Sequence, residues 1–379
     1  MFDPIFECIE KHFGGGRVGL HEPLLGDIEK QYLNDVIDSG FVSTAGAMVE
    51  QFEQSLIERT GAKYCVAMVN GTAALQLGLL ALDVKPGDEV LTQSLTFIAT
   101  ANAIHHCGAK PIFIDIDDRN LGMSANALSK WLDLNAEQRD GRTVNKTTGK
   151  TIKACLPMHT YGMAVEIDRI VAVCRQYGIS LMEDAAEALG SSYQGQSLGT
   201  FSDCGIFSFN GNKIITTGGG GALVTNDKSI ADRVRHLSTT AKIDPYRHDC
   251  AAFNFRMPNL NAALGCAQLT RLDQILLQKS SLARDYREAL GRVEGVEFCS
   301  GLESGNSNYW LSSVIWDSSE LKDHFVAEAE NKGIQTRSVW ELLHKSLPYR
   351  QSQTGDLSVS ESLAPRVLNL PSMPIGISQ

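Results

Sequence analysis

The stretch Ser208-Phe209-Asn210-Gly211-Asn212-Lys213 runs directly into Ile214-Ile215-Thr216-Thr217 and four consecutive glycines, Gly218 to Gly221. A lysine after a short Ser/Asn/Gly turn, with a glycine cluster behind it, presents one amine to a compact anionic ligand. Upstream, Ile179-Ser180-Leu181-Met182-Glu183-Asp184-Ala185-Ala186 reads as an apolar strand ending in a carboxylate. Around this pair strands and helices alternate. Residues 64–69, 89–91, 111–114, 154–158 and 179–182 are short apolar runs, and residues 73–82, 98–106 and 167–177 carry helical periodicity between them. That rhythm predicts an α/β fold with a mostly parallel sheet and helices on both faces.

Residues 1–25 read as an irregular N-terminal arm, with Gly14-Gly15-Gly16 and Pro23 as breakers. Residues 26–255 are expected to form the large domain. Residues 256–379 are expected to form a smaller C-terminal α/β domain, entered through one long helix near 261–287. The polar segment 135–153 reads as an exposed hairpin or loop insertion, and 242–249 as a polar loop.

Composition narrows the function classes. The 379 residues carry a formal net charge of -10, which argues against a nucleic-acid footprint and against binding to anionic membranes. No run approaches the ~18 apolar residues of a transmembrane helix, and no signal peptide is read at the N-terminus. Nine scattered cysteines show no Cys-x-x-Cys spacing, so neither a metal site nor a disulfide framework is expected. The expectation is a soluble, reduced, cytoplasmic protein.

Chemistry concentrates at the strand-to-helix junctions. In Asn70-Gly71-Thr72-Ala73, Gly71 permits a tight turn and Thr72 offers a hydroxyl and an amide at a helix N-terminus, a ready anion site. Alone, the same residues serve equally as an ordinary helix cap. Phe97, in Thr96-Phe97-Ile98, either lies flat against a planar ring at the sheet edge or belongs to the core. Asp184 needs a positive or donating partner if buried; a structural ion pair is the alternative. Glu187, three residues on, either reaches the ligand or sits on a solvated helical turn. Ser208 can bond a phosphate oxygen, and a lysine such as Lys213 in a partly desolvated pocket can attack an aldehyde. His159 follows a strand and is a candidate substrate contact, with a core role as the alternative. Asn254 and Arg256 stand apart and read, alone, as surface or interface residues. Together, Thr72, Phe97, Asp184, Ser208 and Lys213 match in chain order the needs of pyridoxal 5'-phosphate: a phosphate cup, a ring contact, an acid for the pyridine nitrogen and a Schiff-base lysine.

With these segments, and with residues 41–46 and 253–264, the chain resembles the DegT/DnrJ/EryC1/StrS sugar aminotransferases over nearly its full length. The resemblance implies fold type I, the aspartate-aminotransferase-like fold, and a homodimer with active sites at the subunit interface. It implies that Lys213 carries the Schiff base and shuttles the proton, that Asp184 pairs with the pyridine nitrogen, and that Phe97 stacks on the ring. Gly71, Thr72 and Ser208 would hold the phosphate, and Asn254 would reach the phosphate of the neighbouring subunit's cofactor. The family often has glutamine or histidine where this chain has Glu187. The Leu20-His21-Glu22-Pro23 start, the 135–153 insertion and Pro157-Met158-His159-Thr160-Tyr161-Gly162 are most similar to the LegC-type subgroup. That subgroup implies amination by L-glutamate at C4 of a UDP-linked 4-keto-6-deoxy sugar, in surface-glycan or nonulosonic-acid synthesis. Arg337 and His344, in a C-terminal loop, join His159 as candidate substrate contacts. Two alternatives stand beside this reading. A family deoxysugar dehydratase would replace the lysine with histidine, and Lys213 counts against it; a non-catalytic cofactor-binding regulator is the other.

Overall fold

The computed structural model describes residues 1–374. Its centre is a seven-stranded sheet of β1 (Tyr64–Met68), β2 (Glu89–Gln93), β3 (Lys110–Ile114), β4 (Ile152–Leu156), β5 (Ser180–Asp184), β6 (Cys204–Ser208) and β7 (Gly221–Thr225). The spatial order is β1-β7-β6-β5-β4-β2-β3. Only β7 opposes the others: it pairs antiparallel with β1 and β6, while the remaining neighbours are parallel. These strands are apolar on both sides because both faces are covered. One face packs α4 (Gly71–Ala81), α5 (Ile98–His106) and α8 (Lys228–Ser238). The other packs α3 (Ala47–Thr60), α6 (Ala125–Asn135), α7 (Ile167–Tyr177) and α9 (Asn259–Leu269). The expected α/β architecture with a mostly parallel sheet is what forms. The carboxyl ends of β1, β2, β4, β5 and β6 therefore open on one edge.

A second, antiparallel sheet joins β8 (Val296–Phe298), β9 (Ser312–Trp316), β10 (Arg337–Ser338) and β11 (Val367–Leu370) in the order β8-β9-β11-β10. Its core includes Val314, Trp316, Leu368 and Leu370, together with Phe325 of α11 (Ser319–Asn331).

Three segments differ from the sequence expectation. The N-terminal residues, expected to be irregular, contain α1 (Asp3–Phe13), with proline in the first turn and Gly14 ending it at φ 76°. Phe2, Ile5, Phe6 and Ile9 recur at helical spacing and bury against Trp316 and Phe325; the following glycines end this helix rather than forbid it. The single long helix expected over 261–287 is instead α9 and α10 (Leu272–Leu290), parted at Thr270-Arg271. The break lets Ala262, Cys266 and Leu269 bury in the large core beside Phe52, while Leu282, Tyr286 and Leu290 bury in the second. Segment 242–249 pairs Lys242 with His248 and Asp244 with Arg247, so it is a hairpin rather than a loop. The expected hairpin insertion is present, with Ala136–Arg139 against Arg142–Asn145. Its two-residue turn is Asp140-Gly141, both left-handed at φ 50° and 71°, the geometry that matches strand twist.

If α1 is part of the second core, Phe2→Ala should be costly. Phe2 is fully buried, with its ring edge-on to Trp316 at 5.5 Å and to Phe325 at 5.2 Å. Urea unfolding should show a loss of about 3 kcal/mol in the transition that melts this region. A loss below about 0.5 kcal/mol, the scale of an ordinary surface substitution, would mean that α1 is a loosely held arm.

Candidate active site

At the carboxyl edge of the sheet lies a cavity of about 300 Å³, of the size that small-ligand sites take. On its wall the structure brings together Gly71, Thr72, Phe97, Asp184, Glu187, Ser208, Lys213 and Arg337, all expected from sequence. Asn70, Ala186, Asn212, Trp310 and Trp340 join them.

The floor is built by strand ends. Asn70 caps α4, its side chain accepting from the Ala73 amide at 2.8 Å, and the amides of Gly71 and Thr72 fall in the first turn, where no helical acceptor exists. Chain packing is tight here. A Cβ on Gly71 would come within 3.0 Å of Ser208 Cβ, and one on Gly221 within 2.5 Å of the Asn70 carbonyl. The glycines thus let β6, β7 and the start of α4 pack closely beside these free amides.

Asp184 ends β5 and is buried. The Thr100 hydroxyl donates to its Oδ2 at 2.7 Å and the Ala186 amide to its Oδ1 at 3.2 Å. Both donors are neutral, and burial outweighs them, holding the carboxyl above its ordinary value. An acid placed this way favours a cationic partner in the cavity. Glu187 is also buried, and desolvation raises its carboxyl despite the nearby Lys213 ammonium. Its Oε1 accepts from Lys213 Nζ at 3.0 Å and its Oε2 from the Tyr161 amide at 3.0 Å. Lys213 Nζ stands 4.1 Å over the Trp310 ring, a cation–π contact. Trp310 in turn donates its indole N–H to the Asn212 carbonyl at 2.6 Å. Phe97, 48% exposed, is at the α5 N-cap beside Trp340, whose ring is 5.0 Å from that of Tyr161.

Two expected substrate contacts do not reach the wall. His159 is fully buried behind it, 3.0 Å from Glu183 Oε2, with its Nδ1 accepting from the Val165 amide at 3.3 Å. Its partner Glu183 accepts from the Gly199 and Phe201 amides and from Ser202, which, together with His159, hold the carboxyl below its ordinary value against the opposing effect of burial. His159 is thus a core residue that fixes the strand end carrying Asp184, whose carbonyl accepts the His159 amide. His344 bonds Ser94 at 2.7 Å and Glu361 at 3.2 Å, tying the C-terminal loop to the sheet edge outside the cavity. Asn254 is exposed and outside this chain's cavity. Sequence reading missed Thr100, Trp310 and Trp340. Thr100 carried a readable signal, one helical turn beyond Thr96; Trp310 and Trp340 lie 97 and 127 residues after Lys213, with no motif around them.

The model of the DegT/DnrJ/EryC1/StrS aminotransferase family matches residues 23–375. The chain belongs to that family. EpsN of Bacillus subtilis (strain 168) is 38% identical over 365 residues, spanning 94% of this chain and 91% of that one. The GDP-perosamine synthase of Caulobacter vibrioides is 35% identical, spanning 94% and 93%. The aminotransferase TlmJ of Streptoalloteichus hindustanus superimposes with a TM-score of 0.85 at 27% identity, covering 94% of each chain. The protein is a pyridoxal-phosphate-dependent nucleotide-sugar aminotransferase of fold type I. The residues present suit that cofactor: an anion cup at the start of α4, a buried carboxylate with only neutral donors, and an amine on the facing wall.

Because Asp184 holds its proton more tightly folded than unfolded, its ionisation costs stability as pH rises through the shifted value. In the cofactor-free protein Asp184→Asn should therefore raise the melting temperature, with a gap that opens as pH rises from the ordinary carboxylate range, about pH 4, towards pH 8 and levels off once the raised value is passed. Melting curves of the two proteins across that range check this. A gap that is constant or shrinks would place a compensating cation beside Asp184.

Proposed function

We propose that the protein transfers the amino group of L-glutamate to the C4 keto group of a nucleotide-linked 4-keto-6-deoxy sugar, with UDP as the carrier. The observation behind the chemistry is that Lys213 and Asp184 face one cavity across the anion cup of α4. The cofactor supplies the electron sink that acidifies the hydrogen on the amino-bearing carbon. Asp184 keeps the ring nitrogen charged, and Gly71, Thr72 and Ser208 hold the phosphate. Lys213 Nζ holds the proton taken from the donor's Cα and delivers it on the other side of the transfer, flanked by Glu187 and Trp310. The aromatic rings of Phe97, Trp340 and Trp310 exclude water from the reacting carbon.

The choice of sugar rests on the relatives and on the LegC-like segments. Named relatives include GDP-perosamine synthases and DesI, solved in the presence of its TDP-sugar product. Arg337 is on the cavity wall and exposed, where its fork suits a diphosphate. We further propose a cytoplasmic homodimer in which the exposed Asn254 completes the partner's phosphate cup. No helix among the described residues is long and apolar enough to cross a membrane. Lys213 disfavours the dehydratase alternative.

UDP-, GDP- and TDP-linked 4-keto-6-deoxy sugars, each incubated with glutamate and the enzyme and followed by mass spectrometry, test this directly. The expected result is a 4-amino product and 2-oxoglutarate in equal amounts, with ping-pong kinetics and preference for UDP. Preference for another nucleotide would correct the carrier alone. Loss of a hydroxyl without amination would replace the reaction.

A further inference from the structure

We propose that Lys279 is a positioning residue: an uncharged buried amine that clamps Trp310 over Lys213 and locks the His21 segment beneath the active site. The proposal rests on Lys213 being the working amine, and not on which sugar is aminated.

Lys279 lies on α10 and is buried. Its Nζ donates to the Trp310 carbonyl at 3.1 Å and to the Ser372 carbonyl, and stands 3.0 Å from His21 Nε2. These three contacts come from segments far apart in the chain, and none is a carboxylate. His21 Nδ1 is buried without a hydrogen-bond partner. Buried N–H donors are seldom left orphaned, which favours the tautomer with the imidazole proton on Nε2, donating to Lys279, whose own N–H groups go to the two carbonyls. Burial holds both Lys279 and His21 well below their ordinary values. Beyond Lys279, the cationic side chains facing His21 are Lys213 and Arg337, which oppose a positive charge on its ring.

What this amine holds is the tryptophan. Trp310 is fixed at three points: its amide donates to Asn308 Oδ1 at 2.8 Å, its indole to the Asn212 carbonyl, and its carbonyl accepts from Lys279. Asn308 itself donates to the Glu187 and Leu189 carbonyls at 2.9 and 2.8 Å. The ring so placed covers Lys213 Nζ. Seven residues along α10, Tyr286 donates to the Pro371 carbonyl at 2.9 Å, so one helix face grips the 371–372 turn twice. The Ser372 amide completes the lock by donating to the Leu20 carbonyl at 2.7 Å. His21, in the Leu20-His21-Glu22-Pro23 segment, thereby gains a role that site chemistry does not give it.

Lys279→Met keeps an unbranched chain as far as Cε and removes the N–H donors. In enzyme labelled with 5-fluorotryptophan, the Trp310 fluorine resonance, assigned with Trp310→Phe, should move or broaden while that of Trp131 stays. The rate constant for glutamate's half of the reaction should fall about tenfold, as small misplacements of a reacting group do, with glutamate affinity changed less than about twofold. Trp310→Leu should lower the same rate constant, and the double variant should be no slower than Trp310→Leu alone, because Lys279 acts through that ring. Lys279→Gln, which retains two N–H donors, should restore both readouts. An unmoved Trp310 resonance in Lys279→Met, or rate losses that multiply, would overturn the proposal. Should Lys279→Met not fold, Lys279→Asn, polar but too short to reach the Trp310 carbonyl, takes its place in the cycle with the same expected losses. Any loss it shows must come with a displaced Trp310 resonance and vanish in the Trp310→Leu background; a loss that multiplies overturns the proposal. A wrong sugar assignment would leave all these readouts untouched, since none requires the sugar.

Discussion

Asp184 is a carboxylate at the end of a buried strand, with only a threonine hydroxyl and one backbone amide as donors. An isolated charge in such a place is expensive, and the surrounding residues share the task of making it tolerable until a cation arrives. β5 is fixed from behind by the His159–Glu183 pair and the amides that converge on Glu183. α5 aims Thr100 at the same carboxyl. The cavity in front has the start of α4 and Lys213 on its wall, where a ring cation at Asp184 would present its phosphate and its aldehyde. Binding the cofactor and relieving the strand end are therefore one event, and the protein should be markedly more stable with it than without.

The second constraint is that the roof of the cavity comes from the other half of the chain. Trp310 and Trp340 lie outside the large sheet, yet both line the site. The placement of Trp310 depends on polar contacts that cross between the two cores: Asn308 to the Glu187 and Leu189 carbonyls, Trp310 to Asn212, and Lys279 to Trp310. α10 makes this possible by burying its first turns in the large core and its last turns in the second.

Much of the floor was legible in the sequence because it is local. Gly71-Thr72, Phe97, Asp184, Ser208 and Lys213 each end a strand or follow one within a few residues, so a strand-end reading places them on one edge. The roof was not legible. Trp310 and Trp340 have no motif, and their approach to Lys213 depends on how the C-terminal half folds back. His159, read at a strand end, and His344, read in a C-terminal loop, show the converse: their rings turn into supporting hydrogen bonds. The N-terminal helix was obscured by the glycines after it, and the α9–α10 break by apolar periodicity that continues through Thr270-Arg271 while the buried face changes partner. The readings of Asn254 and of the homodimer concern a second copy of the chain, and one chain's geometry leaves Asn254 exposed, as they require.

The most direct test of the account is the visible absorption of the purified protein before and after L-glutamate, with Lys213→Ala alongside. The account predicts a band of lysine-bound cofactor that glutamate bleaches and the variant lacks. A protein that takes up pyridoxal phosphate without forming that band, or a Lys213→Ala variant that still forms it, would contradict the assignment of Lys213 on which the account turns.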